Sequence, residues 1–411
     1  MKGKTESVRQ AAVLDWRRSG DAERITLNRD VKITAAVSAI FGLCSGAFGM
    51  LFTLYLDSLK VSLYAMGAMF SISALFAFLI AVLLGAQSDS WGRKVVYSAS
   101  LLLASISSFC VTMLRTVLEL TLSRISQDIA IRSREAVHYT FIFEHVRQGY
   151  AKVIARIQGL ELTLNATGYL IAGSMLLYLG FQRSFIALGL MLIVALAIFQ
   201  TAKEPNRPKL ERRRLRDLYR FDISRQLKVI CAFNLIQNIG FAICHSVFIY
   251  TLFFLKKFAL DALTLSLILG IHHFTYGIPL IIVSRYFARP NLNYKKIFMF
   301  GNLLMGIPHI ATALIPTFIP ATAIWFIHDI FGAAVYGPAQ QTLTQIHSRD
   351  GSRGKDVNMT SAFTSIGLVI GPIIGGYLAG IDISLPFLVG GSIIAAATLV
   401  ITFLDKQTSA P

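Results

Sequence analysis

The sequence predicts an all-α membrane protein, twelve transmembrane helices forming two pseudo-symmetric six-helix bundles. Three observations carry this reading: long apolar runs repeated along the chain, a lopsided distribution of Lys and Arg between the intervening loops, and an internal repeat. A helix rising 1.5 Å per residue crosses the hydrocarbon core in about 20 residues. Only 15% of the 411 residues are charged and 55% are hydrophobic, with a mean hydropathy of +0.61. A soluble domain carries roughly 25% charge, so an ordinary soluble enzyme is excluded. The same runs exclude disorder, a disulfide scaffold and a β-barrel.

Residues 1–32 form a polar N-terminal segment with eight basic residues, too polar for a cleavable signal peptide. The first bundle covers 33–201, with spans at 33–56, 64–86, 95–114, 117–138, 153–179 and 185–201. A linker covers 202–228. The second bundle covers 229–404, with spans at 229–254, 262–285, 296–315, 319–346, 356–379 and 383–404, and 405–411 is a short tail. Cys44, Cys110, Cys231 and Cys244 fall inside apolar runs without a CxxC spacing and read as small buried hydrophobes.

Orientation follows from charge, because cytoplasmic loops are enriched in Lys and Arg. With the N-terminus inside, the inner segments hold 33 basic residues and the outer loops 5; Arg124 lies inside a span. Both termini are therefore expected in the cytoplasm, in the cell (inner) membrane. The net charge of +17 is explained by this bias and requires no nucleic acid. The linker carries ten basic and four acidic residues. Leu210, Leu215, Leu218 and Phe221 suggest a short helix on the anionic inner leaflet.

Three features recur at nearly one offset. Arg93-Lys94 matches Lys295-Lys296 at 202, Asp128 matches Asp329 at 201, and the Gly168–Gly173 segment matches Gly371–Gly376 at 203. Two six-span halves joined by a linker are the duplicated plan of many secondary transporters.

Between spans 2 and 3 the chain reads Gly85-Ala-Gln-Ser-Asp89-Ser-Trp-Gly92-Arg93-Lys94. This resembles the signature loop of the major facilitator superfamily, G-x-x-x-D-x-x-G-R-K, in its expected place. Gln87 stands for the family's usual Leu, and Ser90 for its usual Arg. The second-half copy keeps the basic pair but has Phe287 for Gly and Asn291 for Asp, so only the first loop carries the full set. Glycines permit a tight turn, and a carboxylate such as Asp89 can meet a helix N-terminus. The resemblance implies a conformational switch of Gly85, Asp89, Gly92, Arg93 and Lys94, docking near span 11. Glu135 is the expected partner of Arg93.

Span 4 carries Arg124-Ile-Ser-Gln-Asp128. Exporters of the resembled family often have R-x-x-x-G here. Intramembrane charges are costly and require a reason. Arg124, Asp128 and Glu135 share one helix face, and Asp128 lies roughly 16 Å from the outer end, near the midplane. Asp329 in span 10 lies at similar depth and lacks a same-helix Arg. Asp329, Asp128 and Arg124 are thus the proton-coupling candidates, an exchangeable carboxylate beside a fixed ion pair. Spans 1, 4, 7 and 10 line the cavity in the resembled fold. That implies cavity roles for Asn234, Gln237, Asn238 and His245 of span 7, and for Tyr336 and Gln340 of span 10. Amides on such stripes also serve helix–helix hydrogen bonding.

His245, His272, His273, His309 and His328 crowd the second half without a ligand spacing such as H-x-x-x-H. His328 and Asp329 are the metal alternative; the primary expectation is no metal and no cofactor. Span 5 lacks the Pro of the drug-antiporter G-P-x-x-G-G pattern, whereas span 11 has it. The turn at Gly180–Phe185 resembles the family's outer G-W-R-x-x-F. No P-loop, H-E-x-x-H or G-x-S-x-G is present, which leaves ATP-driven transport and hydrolysis unsupported. The expected function is secondary active transport of a small solute by alternating access in a monomer. It is expected to be proton-coupled, with export as an antiporter preferred. The alternatives are a transition-metal (iron-like) transporter and a non-transporting sensor or assembly partner.

Overall fold

An apolar run enters lipid only with its backbone polar groups bonded within its own helix or a closed barrel. A computed structural model describes residues 28–146, 150–204, 223–287, 292–348 and 353–404, and among these every regular element is helical. In chain order they are α1 (Arg29–Ser58), α2 (Leu63–Trp91), α3 (Arg93–Cys110) and α4 (Val117–His145). Next comes Tyr150–Gln200, broken at Gly180 with φ 69 and ψ 176 into α5 (150–179) and α6 (181–200). The second half holds α7 (Arg225–Lys257), α8 (Ala262–Phe287), α9 (Tyr294–Leu314), α10 (Phe318–His347), α11 (Arg353–Ile381) and α12 (Leu385–Ile401). The surface helix expected through Leu210, Leu215, Leu218 and Phe221 lies outside the described residues.

Among the described residues, eight stretches are long and apolar enough to cross a membrane, one of them the 45-residue Arg156–Gln200 that contains the Gly180 break. Ala262–Tyr276 and Leu385–Ile401 are shorter apolar stretches. α4 falls short because it carries charge. Two of its cations are paired inside the protein, Arg124 with Asp128 at 2.7 Å and Arg134 with Glu161 of α5.

Local signals set the helix ends. Thr116 and Glu119 form a capping box that starts α4. Ser224 and Asn293 accept the amides of Leu227 and Lys296 to start α7 and α9. α1 ends at Lys60 (φ 59) and α7 at Ala259 (φ 50), each closed by the reversed hydrogen bond of a left-handed cap: Val61 N–H to Leu56 O at 3.1 Å, and Leu260 N–H to Leu255 O at 3.1 Å.

The two halves repeat each other's contacts. A methyl group on Gly168 would meet the Leu43 carbonyl of α1; one on Gly371 would meet Ile239 and Ala242 of α7. One turn or so further on, Gly173 lies against Ala262 of α8 and Gly376 against Leu63 and Gly67 of α2. The repeated glycines thus close α1 on α5 and α7 on α11, then seat one half on the other through α5–α8 and α2–α11. Lys94 Nζ donates to the Gln200 and Ala202 carbonyls at 2.6 and 2.7 Å, closing the end of α6. Lys295 does the same for α12 through Thr402, at 2.9 Å, and Leu404. A cation at a helix C-terminus is favourable. The two lysines that share this role stand one position off the register of the sequence match, in which Lys94 aligns with Lys296.

The signature segment differs from its expected form. α2 continues through Gly85 and Asp89 to Trp91, and the turn is Gly92 alone, at φ 98. The side chains of 81–90 lie outside the described residues. Glu204, just past α6, accepts the Arg93 and Lys94 amides at 2.9 and 2.6 Å and caps α3. The expected Arg93–Glu135 pair does not form in this conformation. Arg93 meets Glu144 at 3.0 Å and Glu135 meets Arg132 at 3.0 Å. Arg93 starts α3 beside the last turn of α4, where Glu144 stands. Glu135 lies roughly 13 Å of helix away from it.

Candidate functional site

A cavity of about 560 Å³ lies between the halves. The first half lines it with Ser45 of α1, Arg134 and Glu135 of α4, and Glu161 and Asn165 of α5. The second half adds Gln237, Asn238 and His245 of α7, His272, His273 and Tyr276 of α8, and Asp329, Tyr336 and Gln340 of α10. One end is closed by contacts across the halves. Asp57 pairs with Lys256 at 2.7 Å, the hydroxyls of Tyr169 and Tyr250 meet at 3.1 Å, and the rings of Phe70 and Phe248 stand 4.8 Å apart. The Ile373 amide donates to Ser71 at 2.9 Å. From the middle of α1, α7 and α10 the lining runs toward the opposite end, where Glu135 and Gln341 stand.

Arg134 and Glu161 are charged groups of the cavity wall that no linear motif marks. Arg134 is buried, bonds Glu161, lies 4.0 Å over the Phe41 ring and donates to the Tyr97 hydroxyl at 3.3 Å. Removing one member of such a pair leaves the other charge uncompensated, so Arg134–Glu161 holds α4 to α5 while forming the cavity wall.

Asp329 is 3% exposed and meets three groups. His272 of α8 contacts one carboxylate oxygen through Nδ1, Thr275 donates to that oxygen at 3.3 Å, and His328 Nε2 stands 3.3 Å from the other. The sequence offers Asp329 no Arg on its own helix; its imidazole neighbours are His272 of α8 and, on α10 itself, His328. Tyr250 of α7 and Tyr276 of α8 are the other titratable groups within electrostatic range of it. α10 is locally irregular here, since His328–Ala333 winds as a π segment. Such turns cluster at functional sites.

The five histidines singled out in the second half converge. The His245 ring lies 5.1, 5.7 and 5.0 Å from those of His272, His309 and His328, and His272 stacks on Trp325 at 4.1 Å. His273 stacks on Tyr169 at 4.1 Å. Among the described residues, two overlapping groups bring candidate ligand atoms within 4.8 Å of one another, His245–His309–His328 and His272–His328–Asp329. The metal alternative, His328 with Asp329, thus acquires partners from α7, α8 and α9. No linear spacing joins these helices, so sequence could show only that the histidines are numerous.

The other sequence candidates divide. Gln237, Asn238, His245, Tyr336 and Gln340 line the cavity. Asn234 lies behind it, accepting from Gln340 at 2.5 Å and donating to the Thr360 carbonyl at 3.3 Å. Arg124 and Asp128 are not among the lining residues. Asp128 accepts from Ser73 of α2 at 2.5 Å and Arg124 lies 4.4 Å over the Phe70 ring. The shared face expected for Arg124, Asp128 and Glu135 is therefore split: the first two look to α2 and Glu135 to the cavity.

Known proteins place this architecture. A profile of the Major Facilitator Superfamily matches residues 34–293 and 230–411. Multidrug resistance protein 1 of Bacillus subtilis (strain 168) is 24% identical over 352 residues, covering 81% of this chain and 85% of that protein. The fold is that of the nucleoside transporter NupG (TM-score 0.75, 12% identity, 92% of this chain and 99% of that one). It is also that of a bacterial homologue of the iron transporter ferroportin in an inward-facing state (0.73, 13% identity, 92% and 98%). The duplicated helices, the cavity between them and the match across the whole chain agree: this is a membrane transporter, not an enzyme, and it belongs to the major facilitator superfamily.

Proposed function

We propose that the protein moves a small polar or charged solute by alternating access, driven by protons, with export the preferred direction. The observation that supports it is the polar cavity closed at one end by the Asp57–Lys256, Tyr169–Tyr250 and Phe70–Phe248 contacts. Each of these joins the first half to the second, so opening that end requires them to part together. Asp329 is the proposed coupling carboxylate, supported by its place in the cavity wall against a base from another helix. Export rests on the Arg124 motif and fits the resistance protein of B. subtilis named above. Asp89 and its loop are proposed as the switch, and both chain ends as cytoplasmic.

The test is a reversible lock. Asp57→Cys with Lys256→Cys, oxidised to a disulfide in vesicles, should abolish flux of whichever solute stabilises the protein in a thermal-shift screen, and reductant should restore it. Unchanged flux in the locked protein would refute alternating access through this closure. A metal ion as the cargo is the second reading, favoured by the converging histidines.

A further inference from the structure

Five clustered histidines, three of them buried, offer more donor and acceptor capacity than one coupling carboxylate uses. His309 is fully buried, and its Nδ1 lies 2.7 Å from the Met305 carbonyl. A carbonyl only accepts, so Nδ1 carries the proton and Nε2 presents a bare lone pair. His328, also fully buried, repeats this with the Trp325 carbonyl. Both Nε2 atoms are buried without a hydrogen bond, and so is Nδ1 of His245; Nε2 of His328 also stands 3.3 Å from an Asp329 carboxylate oxygen. One nitrogen from each of the three rings lies within 4.8 Å of the other two. Adjacent lone pairs repel one another and gain by sharing a cation.

The tautomers favour a metal cation. A metal-bound imidazole uses one nitrogen for the ion and donates the other N–H to a carbonyl or carboxylate, which fixes the ring. His309 and His328 already have this second contact. Around an ion at metal–nitrogen distances of about 2.1 Å, tetrahedral ligand atoms stand about 3.4 Å apart, so small ring rotations close the tripod. The helix is interrupted at two of the three ligands, and the third stands beside a proline. His245 precedes the extended Ser246 that breaks α7, His309 follows Pro308, and His328 opens the π segment. His245 lines the cavity, whereas His309 and His328 lie deeper.

We propose that His245, His309 and His328 form a three-nitrogen site for a late first-row divalent metal ion, entered from the cavity past His245. Imidazole donors suit zinc, cobalt, nickel and copper, whereas magnesium, calcium and manganese suit oxygen donors. The fourth position faces the cavity and is open to water or a cargo group. Asp329 borders this set, its carboxylate 3.3 Å from His328 Nε2, and His272 stands on the far side of that carboxylate. The inference rests on the transporter reading only for the route of entry.

The experiment uses full-length protein purified without a histidine tag and stripped with chelator. Zn²⁺ is titrated by calorimetry and Co²⁺ by visible absorption. One ion per chain is expected, with the intense Co²⁺ bands of a tetrahedral nitrogen site, and Mg²⁺ should not compete. His309→Gln and His328→Gln should each weaken binding by about 10-fold or more. His145→Gln, at the far end of α4, should leave it unchanged. If either tripod variant fails to fold, the Co²⁺ spectrum of the unmutated protein decides. No saturable Zn²⁺ binding, an octahedral Co²⁺ spectrum, or unchanged affinity in folded tripod variants would overturn the proposal and leave a water molecule as the occupant. Flux is measured separately: metal binding in a protein that moves nothing would refute the transporter reading and uphold the site.

Discussion

Asp128 and Asp329 occupy matching positions of the duplicated halves, yet their surroundings differ in kind. Asp128 is closed off by its own helix: Arg124, one turn away, bonds both carboxylate oxygens at 2.7 and 3.0 Å, and Ser73 of α2 adds a donor. Asp329 takes its nearest contacts from another helix, His272 and Thr275 of α8, with His328 of its own helix at 3.3 Å, and lies in the cavity wall. The first carboxylate and its Arg124 partner ride on one helix, so relative motion of helices does not separate them. The second loses its α8 partners, His272 and Thr275, whenever α8 and α10 shift. Duplication thus supplied two equivalent acids; one was built into the frame and the other left where relative helix motion can act on it.

The largest test of this contrast is Asp329→Asn. It should abolish proton-driven accumulation and flatten the pH dependence of flux, while solute still binds. Gradient-driven uptake and binding, measured in the same vesicles, check it. Retained accumulation with unchanged pH dependence would remove Asp329 from coupling and with it the functional half of the comparison.

Arg124→Leu should act on stability instead. It strands Asp128 among α2 and α4 side chains, and breaking a buried pair from one side costs about 3 kcal/mol. Membrane abundance and melting in detergent should fall, and Arg124→Leu with Asp128→Leu should recover most of the loss. If the double variant is stable but loses pH-dependent flux, Asp128 shares the coupling role and the contrast fails.

The signature loops give a third, smaller contrast, since Asp89 of the first half corresponds to Asn291 of the second. Asp89→Asn should slow transport with normal membrane abundance, and Asn291→Asp should change little. Equal effects from both, measured as flux per protein in the membrane, would show that the loops do not differ in role.

The smallest effect concerns the starts of α2 and α8. Ser62 accepts the Ala65 amide at 3.2 Å, whereas Asp261 accepts the Thr264 hydroxyl and the amides of Leu263 and Thr264. The Thr264 hydroxyl and amide hold the Asp261 carboxyl below its ordinary value of 3.8. A lowered folded value means that the cap's contribution is complete above the ordinary value and is lost as pH falls through the lowered one. Acid should therefore loosen the start of α8 before that of α2, and Thr264→Val should move that loosening to higher pH. Hydrogen exchange at Leu263 and Thr264 between pH 5 and pH 3 is the check; equal behaviour at Ala65 would negate it.

The apolar runs, the turn residues and the basic pairs were readable one segment at a time. Hydropathy, capping and charge act within about one helix length, so the sequence by itself determined where helices form, that the chain is duplicated, and the family. The Arg124–Asp128 pair was legible for the same reason, as an i, i+4 contact on one helix. Asp329 was legible as a costly charge, but its partner was not. His272 belongs to another helix, far away along the chain, and only the packing of α8 against α10 joins them. The same holds for Arg134 with Glu161, and for Arg93, whose partner proved to be Glu144 rather than Glu135. The tertiary structure alone decided which histidines meet. His245, His309 and His328 come from α7, α9 and α10, and no periodicity of a single helix can encode a contact that exists only between three.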